Sequence, residues 1–229
     1  MYPLHILTER FEAHRNPENA FFMEKYMKNQ FAFFGIQAND RRAIGRSFLS
    51  DAGIPPPDQR FGIMKKLWAM KEREYQLFGM ELLHRYKKNI LPDDIDMLHW
   101  IITHKSWWDT VDYIAANLVG HYGLKFQTNI PGIMKGWLES HHLWLQRSTL
   151  IFQLKYKDQT DTQLLSRHIH ALKHEPDFFV RKAIGWALRE YSKTNPQWVV
   201  HFVKNVSLAP LSRKEALKWM KNQGMMDTK

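Results

Sequence analysis

The feature that most constrains this chain is a string that returns at a fixed interval. Arg41-Arg42-Ala43-Ile44-Gly45 recurs as Arg181-Lys182-Ala183-Ile184-Gly185, 140 residues on, or four periods of 35. Tyr86-Lys87 returns as Tyr156-Lys157 and Gln76 as Gln146 after two periods, and Tyr156 returns as Tyr191 after one. Matches that share a period predict tandem structural units. The copies start in register at residues 41, 76, 111, 146 and 181, and Ser212-Arg213-Lys214-Glu215-Ala216 opens a sixth after a short deletion. A unit of about 35 residues is a helix pair of HEAT-like size, and such pairs stack on their neighbours.

Local patterning agrees with helices. Apolar residues recur at three- and four-residue spacing, as in Leu77, Met80, Leu83 and in Ile184, Leu188, Tyr191. Strand-like alternation is scarce. Prolines at 92, 131, 176, 196 and 210 punctuate segments of helical length, and Pro55-Pro56-Pro57 is the clearest break. Asn16-Pro17 pairs an N-cap with a first-turn proline, which predicts a helix from Glu18 to Phe34 ending near Gly35. The expected architecture is all-α: HEAT-like repeats forming a curved α-solenoid with a basic concave face, one domain over residues 1–229.

Composition narrows the function. The chain has no cysteine, which excludes a disulfide framework, a thiolate metal site and a thiol nucleophile, and fits a cytoplasmic location. Residues 1–22 carry charges throughout, with no apolar run of signal-peptide length, and no stretch approaches the roughly 18 apolar residues of a membrane span. The formal net charge of +10 favours a polyanionic partner, most often nucleic acid. Metalloprotease, phosphate-loop and nucleophile-elbow motifs are absent, and the histidine pairs His141-His142 and His168/His170 read as incidental. No metal or organic cofactor is therefore expected. Lys105, near Asp109, reads as a solvated or phosphate-binding lysine rather than an amine nucleophile.

One column of the repeat carries the chemistry. One residue after each copy start stand Arg42, Leu77, Asp112, Arg147 and Lys182. If this column faces a groove, its cations would hold a phosphate backbone. Asp112 would be repelled by phosphate and needs another reason to be there. It ends the string Lys105-Ser106-Trp107-Trp108-Asp109-Thr110-Val111-Asp112, and on a helix Trp108 shares its face one turn earlier. An indole face and a carboxylate side by side both attract positive charge. Trp186, in the fifth copy, faces either the same groove or the core between repeats. Cleavage of an N-glycosidic bond fits this equipment, because its transition state resembles an oxocarbenium ion that an aromatic face and a carboxylate stabilise. A leaving base that is already cationic needs no strong general acid.

Several strings, in order along nearly the whole chain, carry a family likeness: KSWWDTVD at 105–112, LWLQR at 143–147, FQLKYK at 152–157, KAIGWALREY at 182–191, and YMKN with FFGIQ at 26–37. In these the chain resembles the AlkD-type bacterial DNA alkylation repair enzymes, the HEAT-like alkylpurine DNA glycosylases. The resemblance implies a monofunctional glycosylase that releases N3- and N7-alkylated purines from duplex DNA, acting as a monomer without metal or cofactor. It implies Asp112 as the catalytic carboxylate, with Trp108 and Trp186 as aromatics flanking the lesion. It implies Arg147 as a phosphate contact and Tyr26 and Gln37 as residues lining the DNA; Lys182 and Arg42 join the DNA contacts from the column. Two other readings stand beside it. A non-catalytic repeat protein for distorted or branched DNA would have little use for Asp112, and a protein–protein scaffold little use for the cations at 42, 147 and 182.

Overall fold

The structure, a computed structural model, describes residues 2–225. Among these there is no β-strand, only an isolated bridge between Ala32 and Glu72. The helices are α1 (Leu4–Ala13), α2 (Pro17–Tyr26), α3 (Ala38–Ala52), α4 (Arg60–Ala69), α5 (Arg73–Arg85), α6 (Asp94–Thr103), α7 (Trp108–Ile114), α8 (Gly120–Lys125), α9 (Ile130–Glu139), α10 (Leu143–Ile151), α11 (Thr162–Leu172), α12 (Phe178–Tyr191), α13 (Pro196–Asn205) and α14 (Pro210–Asn222). No described helix is long and apolar enough to cross a membrane.

The period read from the sequence is the period of the helices. α3, α5, α7, α10 and α12 begin at residues 38, 73, 108, 143 and 178, each three residues before a copy start. Each follows a partner helix, so the repeat is a helix pair. The chain forms two compact units, residues 1–89 and 90–229. In the first, α3 packs against α1 and α5, and α4 against α5. In the second, α7, α10, α12 and α14 stack in succession as one layer, with α6, α9, α11 and α13 packed against them.

Caps and close approaches explain why the elements stop and fit where they do. Asn16, Asp161, Asp177 and Asn195 accept hydrogen bonds from first-turn amides of α2, α11, α12 and α13. α12 meets α14 closely at Gly185, where a Cβ would lie 2.5 Å from the Glu215 Cβ and 2.8 Å from the Ser212 carbonyl oxygen. At Gly185 the repeated Ala-Ile-Gly therefore marks a helix–helix contact too tight for a side chain, and at Gly45 a tight one against the Phe78 ring.

One expected element is shorter than its pattern suggests. α2 ends at Tyr26 rather than running to Phe34, because Lys28 and Asn29 take left-handed backbone angles (φ 58° and 56°). Residues 33–36 are instead buried, non-helical chain. The amides of Phe34, Gly35 and Ile36 donate to the buried Glu74 carboxylate at 2.9–3.1 Å, and that of Phe33 donates to Glu24 at 3.2 Å. Burial raises the Glu74 pKa above its ordinary value, against these backbone hydrogen bonds. The aromatic periodicity of 31–34 reflects packing, not a helix: Phe34 sits against Phe11 and Tyr75.

Candidate active site

α7 begins at Trp108, after Lys105 in a left-handed turn (φ 46°) and Trp107 in extended conformation. This start puts Trp108 and Asp112 one turn apart on a short helix, as their spacing predicts. α7 does not end at Ile114 but continues as a π-helical stretch, Ala115–Val119, into α8. Such stretches are rare and recur at functional sites.

Asp112 is held by the corresponding residue of the next repeat. Arg147 Nε donates to Asp112 Oδ1 and Arg147 Nη2 to Oδ2, both at 2.7 Å, a parallel two-bond fork. The pair is largely withdrawn from water, with side-chain exposure of 15% for Asp112 and 5% for Arg147. Arg147 Nη1 also donates to the Phe179 carbonyl, and its guanidinium carbon lies 5.9 Å from the Phe179 ring centroid. Asp177 in turn accepts from the Phe179 amide at 2.6 Å, which fixes the start of α12. Burial pushes the Asp112 carboxyl above its ordinary pKa; the Arg147 hydrogen bonds and charge pull it down, and Asp109 adds to the rise.

An aromatic wall stands beside the fork. Trp107, Trp144 and Phe179 form a triangle with centroid separations of 5.7, 5.3 and 5.0 Å. These three residues, each on a different helix start, pack α7, α10 and α12 together around the pair. They were not singled out in the sequence, although Trp144 and Phe179 stand 35 residues apart in one column.

Trp108 is partly exposed. Trp186 is also partly exposed, and it packs against the apolar cluster formed by α10–α14. Lys182, one turn before Trp186, reaches Glu215 at 2.8 Å, and Arg189 reaches the other Glu215 oxygen at 2.6 Å. The hydrogen bond from Lys182 lowers the Glu215 carboxyl below its ordinary pKa, burial opposes it, and the Lys182 and Arg189 charges add to the lowering. In the first unit, Tyr26 and Gln37 are exposed at the end of α2 and the start of α3. Arg42 is exposed and lies 3.4 Å from Glu81, which also takes Arg41 at 2.8 Å.

The column is therefore not a bare row of cations. Arg42, Arg147 and Lys182 each meet a carboxylate. Only Asp112 and Arg147 are like positions of successive copies, 35 residues apart; Glu81 and Glu215 meet Arg42 and Lys182 from outside the column. The separate reason that Asp112 required is, in the first instance, Arg147.

The fold and this centre define a class: a helical-repeat protein with a desolvated Asp–Arg fork under an aromatic wall. The chain belongs to the DNA alkylation repair enzyme family, whose model matches residues 7–220. It is also similar to a solved structure described as a predicted DNA alkylation repair enzyme from Enterococcus faecalis, with 33% identity and a TM-score of 0.84 over 90% of this chain and 97% of that one. No curated protein matches the chain. The family and the helical-repeat fold expected from the sequence are both borne out, and with them a role in DNA repair.

Proposed function

We propose that this protein hydrolyses the N-glycosidic bond of N3- and N7-alkylated purines in duplex DNA, without cleaving the strand. The observation that carries this reading is a carboxylate locked at a fixed angle, largely out of water, one helical turn from Trp108. A preorganised charge of this kind stabilises an oxocarbenium-like transition state and needs no reorganisation when the cation forms. The fork from Arg147 fixes the orientation of Asp112, and Asp112 also orients the attacking water. The alkylated base leaves as a neutral molecule because it carries its positive charge before cleavage. Trp108 and Trp186 flank the deoxyribose. Lys182, Arg42, Tyr26 and Gln37 contact the DNA. Arg147, the expected phosphate contact, commits three of its five N–H groups to Asp112 and Phe179 and is 5% exposed, so its part in this reading is to hold Asp112.

One observation favours a second reading. The fork satisfies Asp112 without any ligand, so it also suits a structural clasp between repeats in a non-catalytic protein that binds distorted or branched DNA. Base release separates the two. On the first reading the protein frees 7-methylguanine and 3-methyladenine from duplex DNA, leaves uracil in place, and leaves an abasic strand that breaks only on alkali treatment. DNA binding without release of 7-methylguanine would select the second reading.

A further inference from the structure

α2 carries two exposed phenylalanines that the site above does not use, beside Tyr26, which it does. Phe21 and Phe22 are each 61% exposed and Tyr26 is 68% exposed. Phe21 and Phe22 meet edge to face at 5.5 Å, and Phe22 and Tyr26 stand four residues apart on one side of the helix. Two adjacent phenylalanines left this exposed keep much of their apolar surface in water, so a partner that covers them is favoured. The Phe22–Tyr26 spacing also places Lys25 on the same helical arc, and Lys28 follows in the left-handed turn; both are exposed. Glu18 shares that arc one turn earlier, at the N-terminal end where a carboxylate suits the helix dipole.

We propose that Phe21 and Phe22 are a stacking wedge for unpaired bases in DNA, working with Tyr26 and Lys25. The inference rests on the reading of DNA as the substrate. Charge selects the partner: lysines interleaved with aromatic rings, on a chain of net charge +10, suit a polyanion with flat faces. A second copy of the chain suits it less. Three rings of at most about 250 Å² each, already partly covered, fall short of the roughly 800 Å² per partner that a stable interface uses, and two copies would set like charge against like. In an intact duplex the base faces are covered by their neighbours. The rings therefore gain contact where a base pair is weakened or a base is missing, inserting as apolar side chains do at an opened step.

The test uses the full chain and three variants, Phe21→Ser/Phe22→Ser, Phe22→Ser and Phe22→Tyr. Affinity is measured by fluorescence anisotropy at one salt concentration, on an intact duplex and on the same duplex with a tetrahydrofuran abasic-site analogue. Because the rings are exposed, every variant keeps its melting temperature within a few degrees. The double variant weakens on the abasic duplex by about fivefold or more, the loss that corresponds to 1 kcal/mol of stacking, and by less than twofold on the intact duplex. Phe22→Tyr retains binding to both. Equal losses on the two duplexes, or no loss, overturn the wedge while leaving the DNA reading intact. So does a wild-type dimer in sedimentation that the double variant converts to monomer. Absence of wild-type binding to either duplex overturns the DNA reading and the wedge with it.

Discussion

Replacing Arg147 by alanine tests how the centre is built. The substitution leaves the Asp112 carboxylate, 15% exposed, with neither of its two 2.7 Å hydrogen bonds. It also strips the Phe179 carbonyl of a donor. Breaking a buried pair from one side costs about 3–5 kcal/mol, because the remaining charge stays desolvated. Total stability for a chain of this kind is about 5–15 kcal/mol, so the loss is a large shift in a urea midpoint. The companion Asp112→Asn/Arg147→Met, which removes both charges, recovers much of it, since an apolar or neutral replacement of both partners relieves the desolvation. Equilibrium urea unfolding of wild type, Asp112→Asn, Arg147→Met and the double variant closes the cycle, with a coupling energy above about 1.5 kcal/mol. A cost under about 1 kcal/mol for Arg147→Ala, with additive singles, is the behaviour of an exposed pair and would refute the argument that Asp112 is held by a buried fork.

Other expectations follow from the same geometry. Because burial holds the Asp112 pKa above its ordinary value, and the ionised form is the active one, single-turnover base release declines as pH falls through that raised pKa; in Arg147→Gln the acid limb moves higher still, because the charge that lowers the pKa is gone, and a limb that stays put would detach Asp112 from the rate. Lys182→Ala weakens DNA binding without sequence preference and lowers the slope of log K against log salt by about 0.9; an unchanged slope in the folded variant places Lys182 off the DNA. Gly185→Ala destabilises by about 1–3 kcal/mol, since its Cβ would overlap Ser212 and Glu215 of α14. Gly136→Ala, in the middle of α9 with open space around it, stabilises by about 0.5–1 kcal/mol; thermal melts of the two variants moving in the same direction would contradict that reading of the contacts.

The repeat was legible because its marks lie where helices touch. Arg-Arg-Ala-Ile-Gly and Arg-Lys-Ala-Ile-Gly recur because Gly185 admits a neighbouring helix, and Gly45 sits with Phe78 at 3.1 Å from a would-be Cβ. Ile44 and Ile184 are buried at equivalent places. The end of α2 was not legible: no glycine or proline marks Lys28 and Asn29, and what holds the extended chain after them is Glu74, some forty residues on. Asp112 stands out in the sequence by its odd charge in a column of cations, but its partner does not. Arg147 is the same column position one period later, so opposite charges in adjacent copies predict the pair outright. Trp107, Trp144 and Phe179 were hidden for a different reason: their shared role depends on helix starts, not on any motif of their own.

The most direct test of the central claim is single-turnover release of 7-methylguanine by Asp112→Asn, measured beside its affinity for the same duplex. The amide preserves the shape of the side chain and removes the charge. Losing one preorganised electrostatic partner costs on the order of 10²–10³ in rate. The account predicts a folded variant that binds the duplex at least as tightly as wild type, because a charge that repels phosphate is gone, and releases the base at least about a hundredfold more slowly. A rate within a few-fold of wild type would contradict it and leave the Asp112–Arg147 fork as a clasp between repeats.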